Sequence, residues 1–299
     1  MSKMYVAVRD FTVIWVGYED LVKGLKDLGL NRYEMYVNKT LTQDTYEDMG
    51  HVVKLGFNLR NANERKEFLE FSKNAGVKPC TILLENDFAS ENLEEELDYI
   101  KKATQLADGI GVEVIRINSH MQIREEKPVE EYAKHFVEIM KRLLRETKGS
   151  SVAYAVENHG YVSNDERFLD YAFKEINDER VGLTLDTGNF YWYGYPLSKV
   201  HELIEKYAKL VKHTHLKNLK YPVAKRERQR LPGEDFPQVG VPLYEGDIEF
   251  RRVVQVLRKA GYTGDLTIED ESLGKYTREE RKAVLKKDVE FIKKLISET

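Results

Sequence analysis

VAYAVE (Val152–Glu157), RFLDYAFKEI (Arg167–Ile176) and LTLD (Leu183–Asp186) follow one another as apolar run, amphipathic stretch, apolar run. A short apolar run bounded by a longer amphipathic stretch reads as strand then helix, and a helix returning to a second strand makes a βα unit. Both runs end in a carboxylate, and Glu157 and Asp186 stand 29 residues apart. The spacing recurs: VKHTH (Val211–His215) ends in an imidazole another 29 residues on, and LTIE (Leu266–Glu269) ends in a carboxylate 54 residues later.

The same alternation runs outward in both directions. Strands are predicted near Met4–Arg9, Arg32–Val37, Pro79–Glu85, Val112–Asn118, Val152–Glu157, Val181–Asp186, Val211–Lys217 and Asp265–Glu269. Helices are predicted at Asn63–Asn74, Asn92–Ala107, Val129–Thr147, Arg167–Ile176, Leu197–Leu210 and Ile248–Ala260. A last helix, Thr277–Ser297, has Val284, Leu285, Val289, Ile292 and Ile296 on one face. Eight strands alternating with helices point to an α/β fold, a single (β/α)8 TIM barrel forming one catalytic domain over residues 1–299. Met49–Leu59 is ambiguous, an extra strand or hairpin before the third strand.

Parity within the strands places the four terminal residues. Alternate residues of a barrel strand face the interior. Glu157 shares a face with Ala153 and Ala155, Asp186 with Thr184, His215 with His213 and Lys217, and Glu269 with Thr267. Each terminal residue thus lies on the more polar face near the C-terminal end of its strand, where active sites of this fold sit. Measured against a 29-residue unit, the 54-residue interval holds a surplus, and Leu219–Glu245 (LKYPVAKRERQRLPGEDFPQVGVPLYE) has turn residues and no periodic apolar face. It reads as a long loop after strand seven, a lid over the strand ends. Its basic run, Lys225–Arg230, is a candidate phosphate contact.

Composition narrows the function. No apolar run is long enough to span a membrane, and the start, MSKMYVAVRD, lacks the apolar segment of a secretory signal. A single cysteine, Cys80, excludes an internal disulfide framework and fits a reducing cytoplasm. The formal charge of −4 argues against a duplex-binding protein. Three carboxylates and an imidazole at Glu157, Asp186, His215 and Glu269 form a hard oxygen/nitrogen set suited to one divalent ion. Mn²⁺, Mg²⁺ and Co²⁺ fit it best, with Zn²⁺ also accommodated.

The segments VENHG (Val156–Gly160), LDTGNF (Leu185–Phe190), HTHLKN (His213–Asn218), EGDIEF (Glu245–Phe250) and GYTGDLTIE (Gly261–Glu269) resemble the xylose isomerase-like TIM barrel superfamily, most of all its sugar-phosphate isomerase/epimerase group. The resemblance covers Val112 to the C-terminus and is weaker before that. It implies that Glu157, Asp186, His215 and Glu269 are the metal ligands, and that Glu157 and Glu269 double as the acid/base pair on opposite faces of a ketose. Two positions depart from the pattern. Asn189 stands where family members often carry a histidine, and Asn218 replaces the aspartate that commonly ends the strand-seven motif.

Asn189, His159, Lys217, His120 and Asn118 are the substrate-facing candidates. His159 reads as a hydrogen-bonding partner of site or substrate, or as packing. Lys217 lies one pleat beyond His215, within reach of a substrate oxygen. On strand four Arg116, Asn118 and His120 share parity, with His120 either a pocket residue or a solvated loop histidine. His213 reads as an interior hydrogen-bonded histidine, and His51, His135 and His201 as surface or structural residues. Phe190–Pro196 (FYWYGYP) reads as packing under the rim or an aromatic wall for a sugar.

The leading expectation is a divalent-metal-dependent isomerase or epimerase of a ketose or ketose phosphate, acting through an enediolate. Dehydration of a cyclic polyol ketone at the same metal site is the first alternative. An apurinic endonuclease-like hydrolase fits poorly with seven histidines in the whole chain. A non-catalytic sugar-binding barrel fits poorly with four ligands at matched strand ends. The expected partner is a small sugar or sugar phosphate, with no nucleic acid and no membrane; homo-oligomerisation is left open.

Overall fold

The computed structural model describes residues 4–42, 46–48, 51–53, 56–123 and 126–299. All eight predicted strands are present: β1 Tyr5–Arg9, β2 Arg32–Tyr36, β3 Lys78–Leu83, β4 Val114–Ile117, β5 Ala153–Glu157, β6 Val181–Asp186, β7 Val211–Leu216 and β8 Asp265–Ile268. They form a closed parallel barrel in the order β1-β8-β7-β6-β5-β4-β3-β2. All six residues of β6 are buried, as expected of a parallel strand covered on both faces. Among the described residues no helix is long and apolar enough to cross a membrane.

The chain divides into two compact units, Met1–Arg32 with Leu183–Thr299, and Tyr33–Gly182. In the first, β6 runs beside β7 with Asp186 opposite His215, and β7 runs beside β8 with His215 opposite Thr267. The Glu269 N–H donates to Leu216 O, extending the ladder one residue past β8. Arg278–Glu298 begins with a capping box formed by Thr277 and Glu280. Its buried face is Val284, Leu285, Asp288, Val289, Ile292 and Leu295, so Leu295 takes the place expected of Ile296. The connection after β1, unassigned in the sequence, consists of two short helices, Asp10–Trp15 and Leu21–Asp27.

In the second unit β3, β4 and β5 run side by side, with Ile82 opposite Ile115 and Val114 opposite Ala153. Helices Ala62–Ala75, Leu93–Ile110, Val129–Glu146 and Glu166–Ile176 follow the predicted stretches. Val129–Glu146 buries Ala133, Phe136, Val137, Met140 and Leu143, the stripe that a helical period produces. Tyr46–Asp48 pairs antiparallel with His51–Val53, a hairpin that begins earlier than the Met49–Leu59 expectation; Met49, Gly50, Lys54 and Leu55 lie outside the described residues.

The excursion at Leu219–Glu245 is not structureless. Asn218–Leu219 pairs antiparallel with Gly240–Val241, and Val223–Arg226 is a helical turn. Its anchor is Arg230, a buried guanidinium between the rings of Tyr191 and Tyr221. Arg230 donates to Tyr191 O at 3.0 Å, Tyr195 O at 2.8 Å and Lys225 O at 3.2 Å. Arg226 pairs with Asp247, Lys225 with Glu234 and Asp235, and Arg228 with Glu234. Lys225, Arg226 and Arg228 are thus paired with acids and Arg230 with backbone carbonyls, which weakens the charge argument for phosphate recognition there.

Candidate metal centre

Strand register alone sets Asp186, His215 and Glu269 side by side, because each ends or follows a neighbouring strand of one parallel sheet. Asp186 Oδ1 accepts from the backbone N–H of Gly188 and of Asn189, both at 2.8 Å. This closes the turn after β6 and directs Oδ2 to the ammonium of Lys217, 3.1 Å away. The approach needs a glycine: a Cβ on Gly188 would stand 2.7 Å from Lys217 Cβ.

Glu269 is held in the same manner. Arg9, at the end of β1, takes Glu269 Oε1, while Oε2 lies 2.9 Å from His215 Nδ1 and 3.1 Å from Lys217 Nζ. His215 Nδ1 and Glu269 Oε2 are thus turned toward one point. Burial raises the Glu269 carboxyl, but the charges of His215, Lys217 and Arg9 outweigh it and hold the group well below the usual carboxylate range. Glu269 is thus a carboxylate at neutral pH.

Glu157, at the end of β5, has its own guanidinium. Arg116 Nε donates to Glu157 Oε2 at 2.6 Å, and a second nitrogen of Arg116 reaches the same oxygen. Arg116 also donates to Leu84 O at 2.9 Å, which fixes its plane. One donor atom each from Asp186, His215 and Glu269 lies within 4.8 Å of the others, and all three residues are buried. With metal–ligand bonds of about 2.0–2.2 Å, opposite ligands stand roughly 4 Å apart, so the spread fits one divalent ion. The donor set, two carboxylates and an imidazole, fits it chemically.

The remaining candidates separate. Lys217 joins the cluster through Asp186 and Glu269, and also pairs with Glu271 at 2.9 Å. Asn189 joins through its backbone N–H. His159 is half-buried, with Nδ1 3.4 Å from Asn118 Oδ1 and 3.5 Å from an Arg116 nitrogen. Asn118 exchanges backbone bonds with the Asn86 side chain. His120 is buried rather than solvated, and its partners are on helix Val129–Glu146: its Nε2 is 2.9 Å from His135 Nδ1 and its ring meets Tyr132. Burial and then the His135 charge push His120 down to about 3, so it is neutral. His213 is interior and has Nδ1 2.8 Å from Asp265 Oδ2, as its parity predicts. Phe190 and Tyr191 are buried, in line with packing. His201 is buried; the side chain of His51 lies outside the described residues.

Sequence reasoning missed Arg9, Glu271 and the part played by Arg116. The signal was present for the arginines: Arg9 shares parity with Tyr5 and Ala7 at the end of β1, as Arg116 does with Asn118 on β4. A cation at a strand's C-terminal end follows the same geometric rule that identified the acids. The Asn218 departure is also explained. Its Nδ2 donates to Leu243 O at 2.8 Å and Ile248 O at 3.3 Å, while Oδ1 accepts from Leu219 N and Ile248 N at 3.0 Å. An aspartate has no donors for those carbonyls, so the amide belongs to the base of the excursion.

Comparison with known proteins gives concordant results. The family described as xylose isomerase-like TIM barrel matches residues 23–295. An inosose dehydratase of Yersinia enterocolitica is 26% identical over 232 residues, covering 71% of this chain and 74% of that protein. Among solved structures, an IOLI protein with a bound zinc atom matches with a TM-score of 0.71 at 15% identity, covering 99% of both chains. An L-ribulose 3-epimerase matches with a TM-score of 0.67 at 14% identity, covering 98% of this chain and 95% of the other.

Proposed function

The chain belongs to the xylose isomerase-like TIM barrel family, and from that premise we propose that it is a divalent-metal-dependent enzyme removing a proton beside the ketone of a polyol. The observation that carries this reading is the convergence of Asp186, His215 and Glu269 at neighbouring strand ends, with Glu269 held by Arg9. We take the whole chain as one catalytic domain, acting in the cytoplasm on a small sugar-like molecule rather than on nucleic acid.

A bound divalent ion, held by Glu157, Asp186, His215 and Glu269, would polarise the ketone and favour negative charge on its oxygen. The chain supplies the proton transfer. A carboxylate fixed by a guanidinium loses no orientation when the substrate arrives, and Glu269 is ionised, so it can accept a proton from the carbon next to the ketone. Burial of the cluster keeps bulk water from quenching the enolate.

The enolate has two fates. If it expels a hydroxyl group from the carbon beyond, the newly protonated carboxyl delivers its proton to the departing oxygen, and water and an enone leave. Dehydration of a cyclic polyol ketone is the branch we place first, because inosose dehydratases align over most of the chain. If the proton is returned instead, the product is an epimer or an isomer. This second reading is favoured by the presence of two arginine-held carboxylates, one to take the proton and one to give it.

The test is a panel of cyclic polyol ketones, free ketoses and ketose phosphates with Mn²⁺-, Co²⁺- or Zn²⁺-loaded protein in D₂O, followed by NMR. Deuterium entering the carbon beside the ketone is expected in either branch, with loss of a hydroxyl only in the first. Protein carrying a stoichiometric ion that exchanges no proton in any of these classes would overturn the reading.

A further inference from the structure

We propose that Lys217 is a built-in counter-cation that competes with the metal ion for Asp186 and Glu269 and is received by Glu271 when the ion binds. The inference rests on the metal-centre reading above. Each inner acid commits one oxygen to the fold: Asp186 Oδ1 to two backbone N–H groups, Glu269 Oε1 to Arg9. The other oxygens, Asp186 Oδ2 and Glu269 Oε2, both lie 3.1 Å from Lys217 Nζ. These are the atoms that face the donor group and that an ion would take. Glu269 Oε2 is also the atom beside His215 Nδ1, the imidazole donor of the set.

An ammonium and a divalent cation cannot share those oxygens. Two positive charges so close in a buried site repel far more strongly than a hydrogen bond returns. The third contact of Lys217 resolves the conflict: Glu271 Oε1 is 2.9 Å from Nζ, outside the donor group of Asp186, His215 and Glu269, and its side chain is one-third exposed. The lysine therefore has an inner and an outer acid within reach of one pivot. Its backbone is fixed, because Thr187 Oγ1 accepts from Lys217 N at 3.0 Å and donates to Lys217 O at 2.8 Å. Movement falls to the flexible four-carbon stem, a property that arginine's rigid fork would not supply. Gly188 leaves the room beside that stem.

The test is a double-mutant cycle on Mn²⁺ affinity, measured by calorimetry and by the electron-spin signal of free Mn²⁺, with no substrate present. Lys217→Met should bind Mn²⁺ more tightly by about tenfold or more, since a competitor is gone. Glu271→Gln should weaken binding several-fold in the wild-type background and leave it nearly unchanged in the Lys217→Met background, because coupling of this kind appears as non-additivity. Lys217→Gln repeats the measurement should the methionine variant fold poorly. Lys217 variants that bind no more tightly than wild type overturn the proposal. So does a Glu271→Gln effect of equal size in both backgrounds, which would mark a plain charge effect. A wild-type protein that binds no Mn²⁺ at all would instead sink the metal-centre reading beneath it.

Discussion

The strand ends at Asp186, His215 and Glu269 and the excursion at Leu219–Glu245 are both dense in charge and use it in opposite ways. At the strand ends, like charges are brought together by backbone register, and cations from elsewhere, Arg9 and Lys217, hold them there. In the excursion Lys225 and Arg228 find acids close by in sequence, Glu234 and Asp235. Neighbouring opposite charges that satisfy one another do no chemistry. Buried like charges forced together need an occupant, and that is the mark of a functional site.

The largest effects should therefore come from the strand ends. His215→Ala is expected to lose the metal and the activity together, read by metal analysis alongside turnover. Glu157→Gln and Glu269→Gln keep the shape of the side chain and should fold, yet lower turnover by roughly 10²-fold or more, the usual share of a general acid or base. A Glu269→Gln enzyme with wild-type turnover would erase the distinction drawn here.

The excursion answers to stability rather than to catalysis. Arg230→Met removes the donor from three carbonyl oxygens and the cation between two rings, and should cost about 2–4 kcal/mol in urea unfolding. Arg228→Gln should change neither stability nor the KM for a phosphorylated ketose, because Arg228 only braces Glu234. A raised KM for the phosphorylated substrate alone would restore phosphate recognition to this segment. Asn218→Asp comes next in size: a carboxylate facing Leu243 O and Ile248 O should lower stability by about 1–3 kcal/mol. An unchanged melting curve would mean that the amide's donors are replaceable.

The same contrast explains what could be read from the sequence. Strand order and barrel closure rest on period and parity, which are local and survive in a single chain, and counting along the strands picks out Asp186, His215 and Glu269, which neighbouring strands bring together. The role of Arg9 depends on β1 lying beside β8, a pairing across the length of the chain that periodicity does not announce. The internal order of the excursion was not legible because it comes from Arg230 reaching backbone carbonyls of Tyr191 and Tyr195, and neither hydropathy nor period records such a contact. Asn218 looked like a departure at the site and is instead a hydrogen-bonding hub of the excursion's base. Lys217 was placed by parity on the polar face, but its choice between inner and outer acids is a matter of distances.

The smallest predicted effect lies where the two regions adjoin. Asp270 follows Glu269, and Asp288, on helix Arg278–Glu298, accepts the Leu243 N–H at the far end of the excursion at 2.8 Å. Both carboxyls are buried and face one another. Burial pushes Asp270 up to about 6, and burial followed by the Asp270 charge pushes Asp288 well above the ordinary aspartate value. In the unfolded chain both titrate near 4. The native state therefore binds more protons than the unfolded state above that value, and stability must fall as pH rises. The contribution is fully present below roughly pH 4 and is lost through about pH 6 and beyond. Asp288→Asn keeps an oxygen for the Leu243 N–H and gives Asp270 an amide donor in place of a second carboxyl. Its unfolding free energy should decline less between pH 5 and about 8 than that of wild type, with the two curves converging toward acid. Parallel curves for the two proteins across that range would show that the pair does not titrate as a unit, and that the excursion's end is held by Asp288 through its Leu243 bond alone.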